Sequence, residues 1–163
     1  MNPDEPRWLD AEEQETWLAM ASMLVRFPAA LDSQLQRDAG ISHFDYQVLA
    51  GLSMAPEHTL RMSDLADFAE SSLSRLSHTA RRLESKGWLT RTPDPEDGRY
   101  TLAVLTDAGW DKVVATAPGH VAEVRRLLID SLTKAQYKQL REISLRVNNA
   151  IGPQSTCPGA GTT

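Results

Sequence analysis

The sequence has few of the features that cross-link a chain or anchor it in a membrane. It has one cysteine, Cys157, which lies in a stretch rich in Gly, Pro, Ser and Thr, and aromatic residues make up only 6% of the chain. No disulfide can therefore form within the chain, and we expect a cytoplasmic protein in which this thiol has no role. No run approaches the roughly 18 apolar residues needed to cross a bilayer. Residues 1–15 are acidic and have no apolar centre, so we expect no secretory signal.

Positive charge is also scarce: the chain has 17 Lys and Arg residues against 22 Asp and Glu residues, so its net charge is −5. DNA binding depends on where the positive charge lies rather than on its sum. The first 20 residues hold six acids and one arginine, whereas the segment from Arg75 to Arg99 holds six basic residues and four acids. The middle of this 163-residue chain is therefore its basic part.

Motifs of catalysis are missing as well. The sequence has no Gly-x-Ser-x-Gly, no P-loop, no dinucleotide fingerprint and no His-Glu-x-x-His. We therefore predict that the chain is not an enzyme and needs no cofactor. The four histidines are far apart and have no compact ligand spacing, so we predict no metal site; they are His43, His58, His78 and His120.

What the sequence does contain is helical periodicity with capping residues. We predict a mainly α fold of four helices, a β-hairpin and two further helices. Pro28 is expected to kink the first helix, and Pro118-Gly119 to interrupt the fifth. The predicted caps are Asp10 with Glu13, Ser42 with Asp45, Ser63, Thr106 and Thr133.

The central segment predicts a winged helix-turn-helix. A break at Glu70-Ser71 separates two short helices, the second of which runs over residues 72–86 and ends at Gly87. Strands at 88–92 and 100–105 then flank a polar loop. Two helices joined by a tight turn and followed by a hairpin are typical of this DNA-binding unit. Its second helix is expected to dock through Leu73, Leu76, Ala80 and Leu83.

The other faces of that helix carry hydrogen-bond donors. We predict that Arg75 reads guanine in the major groove and that Ser71 and Ser72 lie near a phosphate. Arg99, at the hairpin tip, suits the minor groove, and Asp97 is expected to orient it. The alternative is a face that is merely solvated. The full predicted DNA-binding set is Ser71, Ser72, Ser74, Arg75, Ser77, His78, Arg81, Arg82, Arg91, Asp97 and Arg99.

Residues 61–109 resemble the signature of the MarR (multiple antibiotic resistance regulator) family. The resemblance rests on Arg-Met-Ser-Asp-Leu-Ala, Ser-Ser-Leu-Ser-Arg-Leu, Arg-Arg-Leu-Glu-Ser-Lys-Gly-Trp-Leu, Asp-Gly-Arg-Tyr and Leu-Thr-Asp-Ala-Gly, in that order. It implies a homodimer, held by the first, fifth and sixth helices, that grips a palindromic operator on double-stranded DNA, most often as a repressor. The implied parts are a dimerisation helix at 8–40, a winged helix-turn-helix at 41–105 and dimerisation helices at 106–151. The composition of residues 152–163 predicts a disordered tail.

The apolar stripes of the terminal helices favour a dimer independently, although they could instead pack on each other within one chain. The resemblance also suggests a small phenolic or carboxylate effector. Its candidate pocket residues could equally be ordinary packing, and they are Trp17, Met20, Met23 and His120. The competing function is a winged-helix adaptor that binds proteins rather than DNA, which the acidic net charge mildly favours.

Overall fold

The computed structural model describes residues 6–152, so Cys157 and most of the predicted tail lie outside the described residues. This part contains six helices and a three-stranded antiparallel sheet of order β1-β3-β2. The elements in chain order are α1 (Ala11–Ala39), α2 (His43–Met54), β1 (Thr59–Arg61), α3 (Met62–Phe68), α4 (Leu73–Ser85), β2 (Leu89–Pro93), β3 (Thr101–Leu105), α5 (Asp107–Val124) and α6 (Lys134–Ile151). The predicted mainly α fold with a hairpin wing is therefore confirmed.

Most helices begin at the predicted caps. The Asp10 carboxylate accepts a hydrogen bond from the Glu13 amide at 2.9 Å, and the Glu13 carboxylate accepts one from the Asp10 amide at 3.0 Å. The same reciprocal box opens α2 and α6, and Thr106 caps α5. The prediction for α3 was wrong. That helix begins after Arg61 without a side-chain cap, because β1 runs directly into it and leaves Ser63 inside the first turn.

Neither internal proline ends its helix. Pro28 lies within α1, and Pro118 lies within α5, so the predicted interruption at Pro118-Gly119 was wrong. Helix α5 packs along α1 and α2, and such tertiary packing outweighs the local helix-breaking tendency of proline. The irregularity comes later, as a π-helical turn at Arg125–Ile129 that follows α5.

One core joins α2, α3, α4 and the sheet. Helix α4 contributes Leu76, Ala80 and Leu83, which have no exposed surface. Leu73 was expected in this stripe but is 52% exposed, and Thr79 is buried in its place. Leu73 is the first residue of α4 and lies at the end of the stripe, whereas Thr79 lies in the middle of the helix between Leu76 and Leu83.

The start of α5 locks onto the start of the wing. The Thr106 amide donates to the Trp88 carbonyl at 3.1 Å, and the Thr106 hydroxyl donates to the Gly87 carbonyl at 2.6 Å. A Cβ on Gly109 would lie 2.0 Å from the Trp88 carbonyl oxygen, so only glycine permits this approach. Lys112 then donates to the carbonyl of Ala39, the last residue of α1, at 2.6 Å. The Leu-Thr-Asp-Ala-Gly motif thus ties the wing to α5, and Lys112 ties α5 to α1.

We expect Gly109→Ala to lower the free energy of unfolding by about 3 kcal/mol or more, because the added methyl meets a backbone oxygen that cannot move without breaking the wing. Urea unfolding at one fixed protein concentration measures the change. Gly98→Ala is the matched control, since a Cβ there meets nothing within 4 Å. It should change stability by less than about 0.5 kcal/mol. Equal midpoints for the two variants would contradict this account of the motif.

Candidate nucleic-acid interface

Helix α4 turns a polar face away from its core. Ser74, His78 and Arg81 are exposed and lie opposite the buried side formed by Leu76 and Leu83. Their spacing of four and three residues keeps them on one stripe of the helix. This stripe carries two small or planar donors and one long cation, as a helix that enters a major groove requires.

Two predicted arginines lie on the side of α4 that faces α2. Arg75 and Arg82 are seven residues apart and therefore share one side of the helix. The Arg75 guanidinium carbon is 4.1 Å from the centre of the Phe44 ring, and Arg82 forms an ion pair with Asp45. Asp45 is buried and also caps α2. Sequence reasoning missed Phe44 and Asp45 as parts of the site, because each is more than 30 residues from its arginine along the chain.

The turn that precedes α4 is tight. Glu70 has φ 45°, and the Ser71 amide donates to the Ala66 carbonyl at 2.9 Å. The Ser72 hydroxyl accepts from the Arg75 amide at 3.2 Å. The Ser71 hydroxyl is buried, and within residues 6–152 it has no hydrogen-bond partner. Of the two predicted phosphate-contacting serines, Ser72 therefore caps the helix and Ser71 faces inward.

The wing carries its arginine at the tip. Arg99 donates to both carboxylate oxygens of Asp97, with Nε–Oδ1 at 2.9 Å and Nη2–Oδ2 at 2.6 Å. These hydrogen bonds hold the pKa of Asp97 below its ordinary value, so the carboxylate stays ionised and remains bonded to Arg99. The Arg99 side chain is nevertheless 84% exposed. Asp97 thus orients the Arg99 guanidinium, which remains exposed to solvent, as predicted.

Arg61, which sequence reasoning did not predict as part of the site, holds the wing loop against β1. Arg61 at the end of β1 donates from Nε to the buried Asp94 carboxylate at 2.9 Å, and its guanidinium carbon lies 4.5 Å from the centre of the Tyr100 ring. The Glu96 amide and Arg61 both hydrogen-bond to Asp94 and lower the pKa of that carboxyl. The wing loop is therefore held to β1 by an ion pair as well as by the sheet.

Arg91 has a different setting from the other predicted contacts. Its guanidinium and its amide all bond to the Glu84 carboxylate, at 2.6 to 3.0 Å. The Arg91 side-chain hydrogen bond is the main reason that the pKa of Glu84 is lowered. Arg91 thus links β2 to α4. A groove of about 390 Å³ between α4 and the wing is lined by Arg91 and Arg99 together with Ser77.

The four residues predicted for an effector pocket lie in three places within one chain. Trp17 and Met20 line a shallow depression near the start of α1, and Met23 lines another beside Leu127. His120 on α5 contacts α2 instead, and the ligand pocket stays a prediction. Among residues 6–152, no group of three His, Cys, Asp or Glu side chains is arranged to hold a metal ion.

Comparison with known proteins identifies the chain. The sequence model of the MarR family matches residues 41–101. Sco3205, a MarR family transcriptional regulator of Streptomyces coelicolor solved in complex with DNA, is 44% identical, with 95% of this chain and 98% of that chain covered and a TM-score of 0.88. AbsC, another MarR family regulator of that organism, is 34% identical, with 90% and 98% covered and a TM-score of 0.85. The chain belongs to the MarR family of transcriptional regulators.

A shorter match comes from YdcH, an HTH-type transcriptional regulator of Bacillus subtilis, which is 31% identical over 80 residues. That match spans 48% of this chain and about half of the relative, 54% of its length. The family assignment agrees with the resemblance found in the sequence. No helix in the described part of this MarR protein is long and apolar enough to cross a membrane.

A histidine cluster joins three helices of this MarR protein. The ring centres of His43 and His120 are 5.9 Å apart, and those of Tyr46 and His120 are 4.7 Å apart. The His43 amide donates to Asp32 on α1 at 2.7 Å. Burial lowers the pKa of both histidines from 6.5; Asp32 opposes the shift at His43, and the neighbouring His43 adds to it at His120.

We expect the cluster to make folding less stable in mild acid. The unfolded chain takes up protons near pH 6.5, whereas the folded chain does so at lower pH, so the unfolded state binds more protons in this window. The contribution is therefore complete above about pH 6.5 and is lost as the pH falls through the lowered values. Thermal unfolding at about pH 7.5 and about pH 5.5 measures it. The double variant His43→Gln, His120→Gln should lose part of this pH dependence, and the exposed-residue control His78→Gln should keep all of it.

Proposed function

We propose that this protein is a sequence-specific regulator that binds double-stranded DNA as a homodimer on a palindromic operator and represses transcription. The observation that carries the proposal is the pairing of a polar outward face on α4 with an exposed arginine at the wing tip. Ser74, His78 and Arg81 would enter the major groove, Arg75 would reach a base edge there from the flank of α4 beside α2, and Arg99 would enter the adjacent minor groove. The similarity to Sco3205, whose structure is a complex with DNA, supports the same mode of binding.

The uncovered apolar surface of the terminal helices supports the homodimer. Helix α6, which lies wholly in the described part of the chain, contains no buried residue, although it is amphipathic. In α1 only the second half is buried against the rest of the chain. An isolated 18-residue helix gains most of its stability from packing, so α6 requires a partner surface. A second copy would cover the apolar residues Trp17, Leu18, Leu24, Val25, Ile143, Leu145, Val147 and Ile151, which are 41 to 81% exposed.

A cleft of about 840 Å³ between α1, α2 and α4 supports the effector part of the proposal. Arg75 and Arg82 line it from α4, His43 lines it from α2, and Asp32 lines it from α1. A phenolic or carboxylate ligand would find a cationic partner here in Arg75, since Arg82 is already paired with Asp45. It would compete for an arginine that the DNA also needs. We therefore assign the predicted effector to this cleft rather than to Trp17, Met20, Met23 and His120.

Selection of bound sequences from a random duplex library tests the proposal. We expect a palindrome whose half-sites are about 10 base pairs apart. In a two-fold dimer of this kind the two copies of α4, the recognition helix, would lie about 34 Å apart, in successive major grooves. The affinity for the selected duplex should fall linearly with salt on a log–log plot between about 50 and 200 mM, since released counterions drive phosphate binding.

Other outcomes discriminate between the parts of the proposal. No enriched motif, with weak and salt-insensitive binding, would contradict DNA recognition and favour the protein-binding adaptor. A single unpaired half-site would contradict the dimer alone. Titration of the complex with salicylate tests the effector, and failure to release the duplex at any concentration would exclude an aromatic carboxylate of that type.

Arg99→Ala should weaken binding to the selected duplex by about tenfold or more and reduce the salt slope by less than about one, because Asp97 already offsets part of the Arg99 charge. The loss of discrimination should be modest and should fall on A·T-rich flanks, where the minor groove is narrow. Fluorescence anisotropy at several salt concentrations measures both quantities.

The matched control is Arg7→Ala. Arg7 is 90% exposed and forms an ion pair with Glu13 ahead of α1, so it resembles Arg99 in charge, exposure and pairing. Its loss should leave affinity and salt slope unchanged. If the two variants bound DNA equally well, the wing tip would not contact the duplex.

A further inference from the structure

An aromatic ring in the first turn of α2 contacts an arginine of α4. Phe44 lies 31 residues before Arg75, yet its ring centre is 4.1 Å from the Arg75 guanidinium carbon. Phe44 is partly buried and packs against the hydrophobic core, whereas Arg75 is exposed on α4. The ring is therefore the fixed member of this pair, and the arginine is the mobile one.

Stacking fixes an arginine without using its donors. A guanidinium that lies over a ring keeps its N–H groups in the plane of the group, free to bond at its edge. An unsupported arginine loses up to about 2 kcal/mol of side-chain entropy when it is ordered on a partner. A ring that holds the guanidinium beforehand removes part of that cost and limits the directions in which its N–H fork can point.

The neighbouring contact holds a second arginine on the same side of α4. Arg82, two turns further on, is paired with the buried Asp45. Phe44 and Asp45 are adjacent in α2, and their two arginines share one side of α4. The arginine nearer the start of the helix is held by a ring rather than a carboxylate, so its charge is not neutralised and remains available to a base or phosphate.

We infer that Phe44 is a positioning residue that sets the base specificity of Arg75. This inference rests on the proposed DNA binding. The ring directs the Arg75 fork toward the edge of one base pair in each half-site. Phe44 itself does not touch the DNA. Its loss therefore relaxes discrimination at the base pair that Arg75 reads and leaves the affinity for unrelated duplex unchanged.

The experiment uses the full chain, the selected duplex and duplexes substituted at each position of the half-site. Arg75→Ala first identifies the base pair that Arg75 reads. Phe44→Leu should then lose about 2- to 5-fold of discrimination at that pair, the size expected for a guanidinium–ring contact at an exposed site. Phe44→Tyr, which keeps the ring, should restore it. In the Arg75→Ala background, Phe44→Leu should cause no further loss.

Phe68→Leu controls for the change in the core. Phe68 is also partly buried against the same hydrophobic cluster. Within residues 6–152 no Lys or Arg side chain lies over the Phe68 ring as Arg75 lies over the Phe44 ring. This variant should lower the thermal midpoint to a similar extent and keep full discrimination. Three results would overturn the inference: a loss spread over all positions, an equal loss in the Arg75→Ala background, or tighter binding by Phe44→Leu, which would mean that the ring withholds Arg75 from DNA.

A measurement without DNA separates this inference from the proposed function. The ring current of Phe44 should move the NMR signals of the Arg75 side chain upfield, and Phe44→Leu should remove that shift while Phe68→Leu keeps it. If no duplex is selected but the shift is present, DNA recognition fails and the stacked pair stands. If a duplex is selected and the shift is absent, the positioning role fails alone.

Discussion

Helix α4 is buried along one side only, and the position of each charged group in the site depends on that docking. Leu76, Ala80 and Leu83 are fully buried against α2, α3 and the sheet. Because the helix repeats every 3.6 residues, fixing this side also fixes the opposite stripe and the two flanks. One flank meets α2 and the other meets the wing. A change that rotated α4 by 30° would therefore disturb the outward face, the Phe44 contact and the Glu84–Arg91 pair together.

The second constraint is the close backbone approach at Gly109. It joins the wing to α5, and Lys112 continues the connection to the end of α1. Lys112 also lies 5.2 Å from the centre of the Trp88 ring. The terminal helices are thereby tied to the winged-helix unit by direct contacts rather than by a linker. This junction is one route by which a shift at the surface where two copies would meet could reach the wing; α2, which packs against α1, α5 and β3, is another.

Local signals in the sequence predicted a large part of this fold. Caps such as Asp10 and Thr133, the hairpin, and the order of the helices were confirmed, because each depends on residues a few positions apart. Three predictions failed where distant packing decides the outcome. Pro118 does not break α5, Leu73 lies outside the core, and α3 needs no Ser63 cap. The contacts of Phe44, Asp45 and Arg61 could not be found by spacing, since their partners come from other elements.

The acidic residues of the basic segment explain how a chain of net charge −5 can carry a surface for DNA. Asp97, Glu84 and Asp94 each bond to an arginine, and Asp45 does the same from α2. These carboxylates orient guanidinium groups instead of repelling a duplex as free charges. The arrangement has a consequence for recognition. Paired arginines release fewer counterions per contact than free ones. In the proposed complex a larger share of the binding free energy would therefore come from the fit of α4 and the wing to particular bases and groove widths.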